Sequence, residues 1–82
     1  MTYHVQVRVL PRAGLLDPQG QAVQHALTAL GFAGTGAVHV GKAIALELEA
    51  ESPDAALATA RRMCETLLAN PVTEDFSLEV AA

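Results

Sequence analysis

The residues able to do chemistry in this chain are few and lie far apart. One cysteine, three histidines and nine carboxylates are the groups from which a nucleophile, metal or acid–base site would be built. Cys64 stands alone in the apolar stripe of a helical segment, which marks it as a buried, inert thiol rather than a ligand. His4, His25 and His39 fall on separate elements without metal-ligand spacing and read as surface histidines. No residue has an evident base partner, and no acidic pair stands apart from solvated side chains. Gly31, Gly34 and Gly36 faintly suggest a phosphate cradle. Such cradles join a strand to a helix, so that the helix N-terminus faces the anion. These three join a helix to a strand, and chain reversal accounts for them. No catalytic, cofactor-binding or metal-binding residue is assigned.

The elements that must position any site follow from hydrophobic periodicity. Tyr3, Val5, Val7 and Val9 alternate with polar residues, the pattern of a half-buried strand. Pro11 and Gly14 break it. Asp17-Pro18 starts a helix: Asp caps free N–H groups and Pro fits the first turn. Val23, Ala26, Leu27 and Leu30 form its apolar stripe, and Gly31 ends it. Val38 and Val40 alternate around His39, Gly41-Lys42 supplies a turn, and Ile44, Leu46 and Leu48 alternate onward. This predicts a β-hairpin with one wet face. Ser52-Pro53 starts a second helix with the stripe Ala56, Leu57, Ala60, Cys64, Leu67 and Leu68. Asn70-Pro71 stops it. Phe76, Leu78 and Val80 make the last strand. The order β-α-β-β-α-β predicts an α+β, two-layer, ferredoxin-like antiparallel sheet with both helices on one face.

Composition bounds the function. With 82 residues, positions 1–82 make one domain. Apolar residues make up 51% and charged residues 17%, so a packed core is expected rather than disorder. The 16 alanines give a core that packs closely but buries little area per residue, which association would supplement. A net charge of −4 disfavours nucleic acid and anionic membrane as partners. The segment Ala43–Glu51 would present Glu47, Glu49 and Glu51 where an RNA-binding sheet of this layout needs aromatic and basic groups. One cysteine excludes an internal disulfide. The N-terminus lacks a basic segment followed by an apolar run, and no stretch nears the roughly 18 apolar residues of a membrane helix. A cytoplasmic location is expected.

Two segments resist this plain account. Gly14–Gly20 puts Leu15 and Leu16 in a loop before a helix, and Gly20 inside the first turn, where Gly costs about 0.5–1 kcal/mol relative to Ala. The leucines either staple onto the helix or form a docking surface with Gly20 admitting a neighbouring backbone. Met63–Val72 carries more apolar side chains than one small core can take, which points to a partner subunit.

Those segments, with Gly41-Lys42 between them, resemble the PurS subunit of phosphoribosylformylglycinamidine (FGAM) synthase. The family carries a Gly-Val-Leu-Asp-Pro-Gln-Gly loop, matched at Gly14–Gly20 with Leu15 where Val is usual. It carries a Gly-Lys turn, matched at Gly41-Lys42. It carries a Met-Cys-Glu-x-Leu-Leu-Ala-Asn-Pro-Val-x-Glu run, matched at Met63–Glu74. His39 departs from the Arg that family members often have before the turn.

The resemblance implies a non-catalytic subunit of a purine-synthesis enzyme. It joins a glutaminase subunit and an ATP-dependent synthetase subunit, and it forms dimers or dimers of dimers. The complex converts formylglycinamide ribonucleotide, glutamine and ATP into formylglycinamidine ribonucleotide, glutamate, ADP and phosphate. No cofactor is expected in this chain; ATP and Mg belong to the synthetase. The glutaminase supplies the family's catalytic cysteine, so Cys64 is not it. Leu15, Leu16, Asp17, Pro18, Gln19 and Gly20 are expected to form one contact region. Met63, Leu67, Leu68, Asn70 and Val72 are expected to form another, and Lys42, at the hairpin tip, a polar contact. Two other readings compete. A small-molecule-binding regulatory domain shares this strand order, with Asp17 and Gly20 near its ligand. A small acyl-phosphate hydrolase would use a basic residue such as Arg12, but the anion-cradling spacing is missing.

Overall fold

The computed structural model describes residues 1–81. Its elements are β1 (Thr2–Pro11), α1 (Pro18–Ala29), β2 (Lys42–Glu49), α2 (Pro53–Met63), a π-turn (Cys64–Leu68) and β3 (Glu74–Ala81). β1 is the central strand, with β2 and β3 antiparallel on either side. Val5 lies opposite both Leu46 and Val80, and Val7 opposite both Ile44 and Leu78. Directly paired residues share a face, so the alternation in all three strands builds one apolar surface.

That surface is covered by α2. Ser52 Oγ accepts from the Ala55 N–H, Pro53 occupies the first turn, and Arg61 and Arg62 sit in the last turn, where positive charge suits the helix dipole. Ala56, Ala60 and Cys64 pack with Tyr3, Val5, Val7 and Val9 into a fully buried core. The two alanines let the helix backbone approach the sheet closely. The Arg61 guanidinium lies 5.6 Å from the centre of the Phe76 ring and ties α2 to β3. The π-turn continues the helix until the Ala69 N–H reaches back to the Cys64 carbonyl, 3.0 Å away. Arg12 then pins the following loop. Its backbone N–H donates to the Thr73 carbonyl, and its side chain donates to the Pro71 carbonyl beside Asp75.

The α+β class, the antiparallel sheet and the two helices match the expectation, and β2 and β3 flank β1 as a ferredoxin-like order requires. Two details differ. Among the described residues there are three strands, not four, because residues 32–41 run as an irregular link. The Val40 N–H that a hairpin would use is taken instead by the Asp17 carboxylate. Lys42 is accordingly the first residue of β2, opposite Val9, rather than a hairpin tip. Among the described residues α2 packs on the sheet, over β1 and β3, and α1 makes no comparable contact with any strand. The molecule is therefore elongated, 50 × 25 × 14 Å. Its radius of gyration of 16.1 Å exceeds the ~12 Å of a compact chain this long.

Candidate assembly surfaces

The base of α1 is built around Asp17, the one buried charged side chain among the described residues, with 9% of its surface exposed. Asp17 caps the helix: Oδ1 accepts from the Gly20 N–H at 3.0 Å. Oδ2 accepts from the Val40 N–H, also at 3.0 Å, and His39 Nδ1 lies 3.6 Å from it. These two backbone N–H groups hold the carboxyl below its ordinary range; burial opposes them, and charge on His39 assists them. The Asp-Pro cap was legible in the sequence. The link to Val40 was not, because nothing local marks a contact across 23 residues.

The expected contact loop divides. Leu15, Leu16, Pro18 and Gln19 are exposed, and Leu15 and Leu16 line a shallow hollow with Pro11, Thr73 and Glu74. Asp17 and Gly20 are buried, with their polar groups satisfied inside the chain. They shape the loop rather than touch a partner.

The second expected region adjoins the first through the 70–74 loop, whose Thr73 and Glu74 line the Leu15–Leu16 hollow. Leu67 is 82% exposed, Met63 and Val72 are also exposed, and Leu68 turns inward against the core. Asn70 Oδ1 accepts from the Val72 N–H and the Asn70 N–H donates to Glu74, so a tight turn holds Val72 outward. Met63, Leu67 and Leu68 line an apolar groove with Leu46, Thr59, Arg62 and Thr66. This groove reaches β2 at Leu46; Ile44, Leu46 and Leu48 on β2 are partly buried, as are Phe76, Leu78 and Val80 on β3.

A surface that periodicity could not assign is α1 itself. Its stripe residues Val23 and Leu30 are exposed, Leu30 by 75%, and Phe32 beyond the helix is exposed as well. Gly31, at φ 101°, turns the chain so that Phe32 follows directly. The three histidines stand apart, with His4 beside Glu47 on the open sheet face. Cys64 is fully buried, and desolvation pushes its thiol up.

The family model for PurS, phosphoribosylformylglycinamidine (FGAM) synthase, matches residues 4–82. The chain belongs to the PurS family. The PurS subunit of Synechocystis is 45% identical over 83 residues, which span 99% of this chain and 81% of that one. The solved PurS of Bacillus subtilis has a TM-score of 0.87 at 41% identity and covers 98% of this chain and 99% of its own. A chain of the Thermotoga maritima PurLQS structure gives 0.90 at 28% identity, with 99% of each chain covered.

Proposed function

We propose that this PurS-family subunit of FGAM synthase works as an assembly subunit. It holds a glutaminase subunit and a synthetase subunit in register, so that ammonia made at one site meets its acceptor at the other. The full-length likeness to a chain of a PurLQS structure carries this reading. Ammonia that escapes to bulk water is diluted and mostly protonated, and fixing two sites together gives the second step a geometric advantage. ATP and Mg belong to the synthetase in this reading, and the complex works in the cytoplasm. Among the described residues, no helix is long and apolar enough to cross a membrane.

The chain also associates with itself. A helix with an exposed apolar stripe and a sheet whose edge strand β2 is only partly buried are complementary, and α1 of one copy covers β2 and the groove of the next. Leu15, Leu16, Pro18 and Gln19 remain for a partner subunit, as do Lys42, Asn70 and Val72. Apolar patches of this kind mark interaction sites.

The test is reconstitution of glutamine-dependent FGAM formation with and without this chain, beside the same reaction driven by ammonia. Omission is expected to abolish the glutamine-driven rate and leave the ammonia-driven rate intact. Equal glutamine-driven rates would overturn the proposal.

A further inference from the structure

We infer that Asp17 and Gly20 form a positioning clasp that fixes the direction in which α1 leaves the sheet, and thereby govern the pairing of one copy with the next. The inference rests on the self-association reading above. An N-cap needs one acceptor, and Oδ1 supplies it to Gly20. The second oxygen is spent on Val40, in the link that returns the chain from α1 to β2. One buried carboxylate therefore ties the outgoing and returning segments together. Gly20 completes the clasp. A Cβ at this position would collide with the Val38 carbonyl oxygen, so the first turn of α1 rests directly on the returning link. His39, in that link, places its Nδ1 3.6 Å from Asp17 Oδ2. The first turn of α1 carries no charged residue.

The position of this clasp gives it leverage. Among the described residues no strand packs on α1 as the sheet packs on α2, so the direction of α1 is set chiefly at its base. A helix of 12 residues is about 18 Å long, so a tilt of about 10° at the clasp displaces the far end by about 3 Å. That is enough to take Leu30 out of register with a groove.

D17S separates clasp from cap, because serine still accepts from the Gly20 N–H but does not reach the Val40 N–H. Sedimentation equilibrium reads association, residual dipolar couplings read the direction of α1 against the sheet, and amide exchange reads Val40. The β1 amides report that the sheet is folded. For D17S the α1 amides are expected to stay helical and the Val40 amide to exchange at least about tenfold faster. The α1 couplings should shrink, and association should weaken about tenfold or more, the size of one hydrogen bond to a charged acceptor. G20A reaches the same end by a second route: its Cβ would strike the Val38 carbonyl oxygen and crowd Asp17 Oδ2. Unchanged couplings and unchanged association in both variants would overturn the clasp. A wild-type chain that sediments as a monomer with one fixed α1 direction would overturn self-association and leave the clasp standing.

Discussion

Gly20 and Val38 meet backbone to backbone: the Gly20 Cα lies where any larger residue would strike the Val38 carbonyl oxygen. A glycine in the first turn of a helix lowers helix propensity, yet here it lets the returning link lie flat against the helix it has just left. The arm formed by α1 and residues 32–41 is narrow at its base for this reason, and its outer apolar residues stay free for another chain.

Acid should loosen that base. The Asp17 carboxyl titrates below its ordinary value because Gly20 and Val40 donate to its charged form. A carboxyl lowered in the folded state adds stability above its unfolded value of about 3.9, and loses it as pH falls through the folded value. Melts between about pH 6 and about pH 2.5 should therefore show a steeper acid loss for wild type than for D17N. Glu49, also lowered by the N-terminal amine and by Thr2, is present in both and cancels.

Charge on the apolar arm or groove should separate association from folding. L30E and L67E alter residues that are 75% and 82% exposed, so monomer stability should move by less than about 0.5 kcal/mol. Dissociation constants from sedimentation should rise about tenfold or more for each. Two variants that associate like wild type would remove α1 and the groove as partners.

The contact of α2 with the sheet depends on alanine. Ala60 is fully buried, so A60L forces extra methylenes into a closed space. Urea unfolding should show a loss of about 1–3 kcal/mol.

Cys64 should behave as a core atom. It is free and buried, and desolvation raises its thiol, opposed by Arg61 and assisted by Glu65. A thiol reagent at about pH 8 should modify the folded chain at least about a hundredfold more slowly than the urea-unfolded chain.

The sheet was legible because its information is local. Tyr3, Val5, Val7 and Val9 alternate and are all buried on one face. Asp17-Pro18 and Ser52-Pro53 both open helices, and Gly31 takes the left-handed turn expected after α1. What failed to show was tertiary. Val38-His39-Val40 has strand alternation, but three residues fit an extended link equally well, and Asp17 captures the N–H that would have decided otherwise. The stripe Val23, Ala26, Leu27 and Leu30 announces that α1 must be covered without saying by what. The surplus of Met63, Leu67 and Val72 was legible, since a small core has limited capacity, and these three lie exposed.

The π-turn Cys64–Leu68 also determines where the chain tolerates a change of length. Elsewhere in α2 a deletion would swing Ala56 or Ala60 off the sheet, because every later residue would rotate about the axis. Here the helix already holds one residue beyond what α geometry requires. Glu65 and Thr66 are exposed. Removing either lets the segment relax to α-helix while Cys64 and Leu68, then three positions apart, keep the same face. The loop beyond, fastened by Arg12, would need to move little. The turn is thus a length reserve, the address at which evolution or an engineer can shorten this helix without disturbing the core beneath it.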